Sequence, residues 1–331
     1  MSAAPDEFDW IAALRPLTRG APAALGLMDD AAVLPARPGF DLVISEDAMV
    51  EGVHFLEGED AQVVARRLLR TSLSDLAAKA AEPFGYTLMI AWPASRGWDE
   101  RMAFIRGLDQ DGARYGVALL GGDTVSTPGP LMISITAFGR VPVGRMVRRS
   151  GAKPGDLVVV TGTIGDAALG LDVLKHGAVA AALADDAAAR DLLVGRYRVP
   201  QPRTALASAV RDHAQAAMDV SDGLAGDLTK LCRASGVSAT IDVVRIPLSG
   251  VAASLVASGT VGIEAIVSGG DDYEVLCAIP QNHFETFARA AGLAGIAVTA
   301  IGTVTAGKSV PRFLDAEGRE IALQRLSYSH F

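Results

Sequence analysis

Acidic residues follow short apolar runs at six places in this chain, each flanked by Gly, Ser or Ala. A carboxylate beside a buried strand costs desolvation free energy unless something compensates its charge. Because almost no Lys or Arg lies inside these segments, the compensator we expect is a bound cation. Mg²⁺ binds a few carboxylates together with substrate phosphates. The pattern therefore predicts a metal-dependent, phosphate-handling site, assembled from residues 27–32, 45–48, 72–76, 121–124, 218–223 and 268–273.

The composition favours an α/β protein and argues against several other classes. At 331 residues the chain exceeds the size at which single cores usually divide, so we expect two domains. Half of the residues are hydrophobic and 5% are aromatic, which favours parallel or mixed sheets covered by helices. A formal charge of -8 argues against a nucleic-acid or anionic-membrane surface.

The cysteines and the hydropathy pattern indicate a cytoplasmic protein. Cys232 and Cys277 are the only cysteines and form no CxxC or Cys/His cluster, which argues against structural zinc and a disulfide framework. No uncharged apolar stretch reaches the roughly 18 residues of a membrane helix, and we see no signal peptide. We therefore expect no membrane partner.

The predicted elements divide at a charged, Gly- and Pro-bearing stretch over residues 145–156, which gives domains 1–148 and 149–331. In the long helix expected from Asp60 to about residue 81, Asp75 shares a face with apolar residues. A purely structural helix would not require a carboxylate on that face. Predicted strands cover residues 32–34, 41–45, 86–92, 117–120 and 131–138 in the first domain, and 157–161, 216–220, 238–244, 263–268, 274–279, 297–304 and 309–314 in the second. Predicted helices in the second domain follow residues 162–166 and 223 and cover 179–195 and 282–292.

Residues 302–309 match the P-loop pattern GxxxxGK[ST]. A P-loop requires a helix after the glycine-rich loop, because the helix N-terminus helps to hold the phosphates. Residues 310–314 instead read as a strand, followed by a turn at 315–318. We interpret this segment as a β-hairpin.

The segment from Asp219 to Gly223 carries the strongest signal from the residues themselves. Asp219 ends a predicted strand, Ser221 and Asp222 begin a helix, and Gly223 lets the backbone approach a ligand. An ordinary N-cap turn explains only one of these polar residues. By contrast, the glycine-rich segment 121–124 is as compatible with a plain turn as with a phosphate site. Each of the acidic pairs, 29–30 and 46–47, is by itself compatible with a solvated loop.

Taken together, these segments resemble the thiamine-monophosphate kinases, within the ATP-binding superfamily that includes aminoimidazole ribonucleotide synthetase and selenophosphate synthetase. The resemblance runs nearly end to end, and its most specific parts are Asp47 to His54-Phe55 and the terminal Tyr328-Ser329-His330-Phe331. It implies two α/β domains with mixed sheets, an N-terminal domain that dimerises through its sheet, and ATP bound in the cleft between the domains. It also implies several Mg²⁺ ions and transfer of the γ-phosphoryl group of ATP to thiamine monophosphate, giving thiamine diphosphate.

The resemblance also implies roles for individual residues, with none acting as a chemical catalyst beyond positioning and metal-assisted transfer. Three departures bear on the site: Met28 stands where Gly is common, Glu46 where Thr is usual, and Asp271 where Glu is usual. Glu46 either adds a carboxylate ligand or removes a hydroxyl one. The implied metal ligands are Asp30, Asp47, Asp75, Asp123, Asp219 and Asp222, with Glu46 added; the ATP contacts are Gly122, Asp123, Arg149 and Ser221; the contacts to thiamine monophosphate are His54, Asp271 and Tyr328.

Two other readings stay open at this point. A related enzyme of the same superfamily, such as a phosphoribosyl-amidine cyclase, is disfavoured by His54 and the Tyr328 motif. A non-catalytic acidic module that binds metal or nucleotide is the alternative from a different class. Acceptor-dependent release of ADP distinguishes the three.

Overall fold

The structure is a computed structural model that describes residues 6–327. Its chain forms two compact units, which we describe separately. Unit 1 comprises residues up to Leu76 together with Ala81–Gly144, and unit 2 comprises Ala77–Ala80 together with residues from Arg145 onward. The predicted domain boundary at 148/149 falls four residues after this division and stays a prediction.

Unit 1 is a four-stranded mixed sheet covered by helices on one face. The strand order is β1-β4-β2-β3, with β2 and β3 parallel and the other neighbours antiparallel. The elements are α1 (Glu7–Leu14), 3-10 helices at Arg15–Thr18 and Pro22–Leu27, β1 (Phe40–Val50), α2 (Ala61–Ala78), β2 (Glu82–Pro93), α3 (Trp98–Tyr115), β3 (Ala118–Thr127) and β4 (Met132–Pro142).

The two faces of the unit 1 sheet differ in burial. Alternate residues of the strands, among them Val43, Leu88 and Ile135, pack with Leu68 of α2 and Phe104 of α3 in one apolar core. Alternation along a strand sends the intervening side chains to the opposite face. That face exposes several apolar side chains: Leu42 (48% exposed), Ile44 (57%), Val125 (47%) and Met132 (38%).

Unit 2 contains a six-stranded mixed sheet in the order β10-β7-β9-β5-β8-β6. Apolar clusters lie against it, one including Leu228 and Ile266 and another including Val159 and Phe287. The elements are β5 (Leu157–Thr161), α4 (Asp166–Leu174), α5 (Ala178–Ala182), α6 (Ala187–Arg198), α7 (Ala207–His213), β6 (Ala216–Val220), α8 (Leu224–Ser235), β7 (Ser238–Asp242), α9 (Gly250–Ala257), α10 (Ile263–Ser268), β8 (Glu274–Ile279), α11 (Phe284–Leu293), β9 (Val298–Thr305) and β10 (Arg312–Leu314), with 3-10 helices at Thr204–Leu206, Val243–Arg245 and Gln281–His283.

Membrane-spanning helices are missing from the part of the chain that the structure describes, since none of its helices is both long and apolar enough.

Several predicted elements are confirmed and others are wrong. The strands predicted at 157–161, 216–220 and 274–279 have the observed bounds. Residues 32–34 are not a strand, and residues 263–268 form α10 instead of a strand. The helical stretch predicted at 179–195 is divided between α5 and α6.

The hairpin interpretation of residues 302–309 is wrong, although no helix follows this segment either. β9 pairs antiparallel with β7, and β10 pairs parallel with the other edge of β7. The connection from β9 to β10 therefore skips over one strand. Because a P-loop needs a helix at this place, the P-loop reading is still excluded.

Candidate functional site

In unit 1, two carboxylates of the predicted metal set lie together on the helix-covered face of the sheet. Asp47 lies in β1 and Asp75 in α2, and the Ser45 hydroxyl donates a short hydrogen bond to Asp75. Burial, together with the negative charge of Asp75, raises the pKa of Asp47 to about 7, although a hydrogen bond from Ser72 acts in the opposite direction. Burial and a nearby like charge both disfavour the ionised form of a carboxyl group.

Glu46 lies on the opposite face of the same strand. It follows from the alternation of β1 that its side chain points away from Asp47. Its carboxylate accepts hydrogen bonds from Ser134 (2.6 Å) and Thr136 (2.5 Å), which hold its pKa below the ordinary value. The structure therefore does not bring Glu46 together with Asp47, and we do not carry it into the metal set proposed below.

A second group of predicted residues surrounds a cavity of about 390 Å³ beside β3. Asp30, Gly122 and Asp123 line it, together with an apolar wall that includes Trp10 and Leu88. Gly122 and Asp123 lie inside β3, so the predicted strand end at residue 120 is wrong and the alternative of a plain turn at 121–124 is excluded. Gly122 approaches β2 so closely that an added Cβ would lie 2.0 Å from the Leu88 carbonyl oxygen.

The two groups in unit 1 are separated by the width of the sheet. Asp47 is on the edge strand β1 and Asp123 on the opposite edge strand β3. Three interstrand spacings place these strands about 14 Å apart. Within residues 6–327, no three His, Cys, Asp or Glu side chains converge as a metal-binding group. The acidic residues of unit 1 are thus arranged in two separate sets on different strands.

His54 is held in a defined orientation by the loop that follows β1. The Val50 N–H donates to its Nδ1 (3.0 Å), so the neutral imidazole carries its proton on Nε2. Glu51 anchors the same loop by accepting from the Gly58 N–H (3.0 Å) and the Arg96 guanidinium (2.5 Å). Although burial alone would raise the pKa of Glu51, these donors and the Leu131 N–H hold it below its ordinary value.

In unit 2, the two acidic segments at 219–223 and 269–273 lie side by side. The Asp271 N–H donates to the Ser221 carbonyl (2.8 Å), and the Tyr273 N–H donates to the Val220 carbonyl (2.8 Å). A Cβ on Gly270 would lie 2.5 Å from the Ser221 carbonyl oxygen, so this contact requires glycine. The structure therefore brings Asp219, Ser221, Asp222 and Asp271 into one region of unit 2.

Backbone strain is concentrated in the second of these segments. Asp271 and Tyr273 have φ values of +74° and +51°, in the left-handed region that side chains other than glycine seldom occupy. The Tyr273 hydroxyl lies 3.3 Å from the Asp271 carboxylate. Strained residues of this kind persist where surrounding contacts hold them, and they are enriched at ligand sites.

Asp227 and Lys230 of α8 organise the turn that contains Ser221 and Asp222. One oxygen of the fully buried Asp227 carboxylate accepts both backbone N–H groups, at 3.0 and 2.9 Å. Its other oxygen accepts from Lys230 Nζ (2.8 Å), which also makes a short ion pair with Asp222. Burial raises the pKa of Asp227, and the bonds from Lys230 oppose this effect.

A cluster of charged side chains is centred on Glu274, the residue that follows the strained segment. Glu274, fully buried at the start of β8, accepts from Arg203 Nε (2.6 Å), Arg196 Nη2 (2.7 Å) and the Thr161 hydroxyl (2.6 Å). The neighbouring Asp272 accepts from the Gly165 N–H (2.8 Å), and burial raises its pKa well above the ordinary value. We name Thr161, Arg196, Arg203 and Glu274 the Glu274 cluster.

For two predicted site residues, Arg149 and Tyr328, the structure gives little information about their proposed contacts. Arg149 is exposed, and the contact found for it is a 3.4 Å hydrogen bond from the Ser235 hydroxyl to its carbonyl oxygen. Tyr328 lies outside the described residues, so its predicted contact with thiamine monophosphate stays a prediction.

Comparison with known proteins identifies the family. Residues 28–141 match the family described as AIR synthase related protein, N-terminal domain, and residues 153–314 match its C-terminal domain. The thiamine-monophosphate kinase of Caulobacter vibrioides is 50% identical over 99% of this chain and 92% of its own length. The chain belongs to the thiamine-monophosphate kinase family.

Solved structures agree with this membership. The thiamine-monophosphate kinase of Stenotrophomonas maltophilia K279a is 33% identical, covers 95% of this chain and 98% of its own, and superimposes with a TM-score of 0.83. A structure described as AaThiL complexed with AMPPCP and TMP is 26% identical, with a TM-score of 0.76 and coverage of 98% and 97%. The family resemblance and the two-domain α/β fold with mixed sheets are thereby confirmed.

The structure adds residues that the sequence reasoning missed. Asp227 and Lys230 contact Ser221 or Asp222 directly. The other additions are the Glu51–Arg96 pair, in the loop that carries His54, and Arg196 and Arg203, which pair with Glu274 next to the segment of Asp271. Of these, Asp227 and Lys230 had a detectable signal, because they follow Asp222 by five and eight residues along α8. The contacts of Arg196 and Arg203 with Glu274 span more than 70 residues, which no local pattern reveals.

Proposed function

We propose that this protein transfers the γ-phosphoryl group of ATP to thiamine monophosphate in a Mg²⁺-dependent reaction that gives thiamine diphosphate and ADP. The observation that carries the proposal is the 50% identity to the Caulobacter vibrioides thiamine-monophosphate kinase over nearly the whole chain. Support for the two substrates comes from the related AaThiL, whose complex contains AMPPCP and TMP.

The donor atoms in this chain fit Mg²⁺. The Asp47 and Asp75 carboxylates, with the hydroxyls of Ser45 and Ser72, form a set made only of hard oxygen atoms, as Mg²⁺ prefers. The charge repulsion between Asp47 and Asp75 is the structural observation that calls for a cation. We propose that these residues, with Asp30, Asp123, Asp219 and Asp222, hold the ions, which supply neutralisation of phosphate charge.

The chain's own residues then position the two substrates. A phosphate oxygen of thiamine monophosphate is already anionic at neutral pH, so no strong general base is required, and catalysis rests on alignment and electrostatics. We assign to His54 Nε2–H the role of a hydrogen-bond donor to this substrate, since Nδ1 is occupied by the Val50 N–H. Asp271 and Tyr328 are its other proposed contacts, and Gly122, Asp123, Arg149 and Ser221 are the proposed contacts to ATP.

We also propose that two copies associate through the exposed face of the unit 1 sheet. The apolar side chains of Leu42, Ile44, Val125 and Met132 on this face are partly exposed in the single chain, which is unfavourable unless they are covered. A second copy buries them by an isologous contact, as is usual in homodimers. An Ile44→Asp variant that stays dimeric by light scattering contradicts this proposal. The free, buried state of Cys232 and Cys277 is consistent with the cytoplasm as the proposed location.

The test of the reaction is a coupled assay of ADP release with thiamine monophosphate, with thiamine, and with no acceptor. We expect release with the monophosphate alone, and its loss when Mg²⁺ is chelated. Asp47→Asn is expected to lower kcat by a hundredfold or more, on the scale of losses at a metal-assisted electrostatic centre. ATP binding by calorimetry without acceptor-dependent ADP release would favour a binding module instead, and activity only with a phosphoribosyl-amidine would favour a cyclase.

A further inference from the structure

Lys230 places a positive charge on one of the proposed metal ligands. Its ammonium group bridges Asp222 and Asp227, with a distance of 2.8 Å to Asp227 Oδ1 and a short contact to Asp222 Oδ2. The side chains of Lys230 and Asp222 are 39% and 38% exposed, whereas Asp227 is fully buried. The ammonium group therefore lies at the entrance of the turn, where an ion from solvent would approach Asp222.

The fold of the turn does not depend on this ammonium group. Asp227 uses Oδ2 to accept the Ser221 and Asp222 N–H groups, and it presents only Oδ1 to Lys230. The Ser221 carbonyl is held separately by the Asp271 N–H. Loss of the lysine charge leaves all three of these backbone bonds in place, and the partly exposed Asp222 carboxylate can be hydrated.

Lys230 contacts Asp222 Oδ2, so a divalent ion that coordinates the same carboxylate comes close to the ammonium group. Two cations at one carboxylate repel each other. Binding of Mg²⁺ at Asp222 is therefore weakened unless Lys230 moves away, and the ion pair opposes this movement. The lysine lowers the affinity of the turn for free metal while keeping Asp222 oriented.

We propose that Lys230 is an internal counter-ion that competes with Mg²⁺ for Asp222 and thereby weakens metal binding at this turn. The inference rests on the proposed function, because it takes Asp222 as a metal ligand. It makes a prediction of unusual sign: removal of a positively charged side chain strengthens metal binding, whereas loss of a merely structural lysine weakens it or leaves it unchanged.

The experiment measures Mn²⁺ binding to the nucleotide-free protein from the EPR signal of the free ion. Lys230→Met is compared with wild type and with Lys308→Met, which removes the same charge from an exposed turn in unit 2. We expect Lys230→Met to bind Mn²⁺ about tenfold more tightly, the scale of one partly exposed charge near a divalent ion. Lys308→Met is expected to match wild type, and thermal unfolding checks that both variants are folded.

Two further variants separate the inference from the proposed function. Asp222→Asn is expected to lose the affected Mn²⁺ site, and the double variant with Lys230→Met is expected to behave like Asp222→Asn alone. If Asp222→Asn loses a site but Lys230→Met does not tighten binding beyond Lys308→Met, the competition inference is overturned and the metal assignment stands. If Asp222→Asn binds Mn²⁺ as wild type does, the metal role of Asp222 fails, and the inference fails with it.

Discussion

Replacing Glu274 by Gln removes the negative charge at the centre of the Glu274 cluster while keeping the side-chain volume. The guanidinium groups of Arg196 and Arg203 are only 19% and 17% exposed, so they lose their counter-charge in a largely dry environment. Loss of one partner of a buried pair usually costs 3–5 kcal/mol, and partial hydration of the arginines reduces this to about 3 kcal/mol. For a unit of roughly 190 residues, this corresponds to a fall in Tm of about 6–12 °C.

The assay is thermal and urea unfolding of Glu274→Gln beside Glu320→Gln. The Arg312–Glu320 pair belongs to the same unit and has the same 2.7 Å separation as Arg196–Glu274, but its side chains are 53% and 55% exposed. An exposed pair contributes about 0–1 kcal/mol, so Glu320→Gln is expected to shift Tm by only a few degrees. The comparison therefore contrasts a buried carboxylate that has two arginine partners with an exposed carboxylate paired with Arg312 at the same distance as Arg196–Glu274.

Equal losses of stability in Glu274→Gln and Glu320→Gln would refute the claim that burial decides the effect. A second readout tests the link to the site. Glu274 immediately follows the strained residues Asp271 and Tyr273, so a loosened start of β8 is expected to raise the KM for thiamine monophosphate more than the KM for ATP. Equal changes of both constants would show that the cluster supports the unit as a whole and not this segment.

The remaining predictions concern unit 1 and the turn after β9. The folded-state pKa of Glu51 is lowered from 4.5, so its stabilising effect is complete above that value and is lost as pH falls through the lower folded-state pKa. Urea unfolding is therefore expected to show that Glu51→Gln is less stable than wild type by about 2 kcal/mol at pH 7, and that the two stabilities converge in acid. Glu57→Gln, at an exposed position, is the control. A stability difference between Glu51→Gln and wild type that does not change with pH would contradict this account. Lys308→Ala is expected to leave kcat and the KM for ATP unchanged within twofold, whereas a large rise in that KM would restore the P-loop reading.

The sequence predicted elements well where apolar runs have clear ends. The strands at 157–161, 216–220 and 274–279 are short, mainly apolar and almost fully buried, so they need not alternate between apolar and polar residues. The run at 263–268 has a similar length and composition but forms a helix, with Ile266 and Val267 buried and Gly262 at its N-cap. A short apolar run does not by itself distinguish a buried strand from one face of a helix.

Of the strand ends predicted beside acidic segments, those at residues 45 and 120 are wrong, whereas the one at residue 220 is correct. Glu46 and Asp47 lie within β1, and Asp123 lies within β3. Both are edge strands, whose outer residues meet solvent, and polar residues are tolerated there without ending the strand. In β1 the acidic pair interrupts the apolar run, and in β3 two glycines precede Asp123, so the sequence of each strand resembles a loop at this point.

The scarcity of Lys and Arg in the acidic segments has a different meaning in each unit. In unit 1, the contacts of Asp47 and Asp75 among the described residues are hydroxyls and each other, which supports the proposed cation. In unit 2, α6 supplies Arg196 to the carboxylate of Glu274, and α8 supplies Lys230 to that of Asp222.

A carboxylate is neutralised by the basic side chains that lie near it in the folded chain, and these need not be near it in the sequence. A segment without basic residues can still be neutralised by a helix 70 residues away, as Glu274 is by Arg196. Structural carboxylates and proposed metal ligands in this chain therefore differ in the charge that each one meets. Glu274 meets two arginines, whereas Asp47 meets the like charge of Asp75. Asp222 is intermediate, since it meets a lysine that is partly exposed.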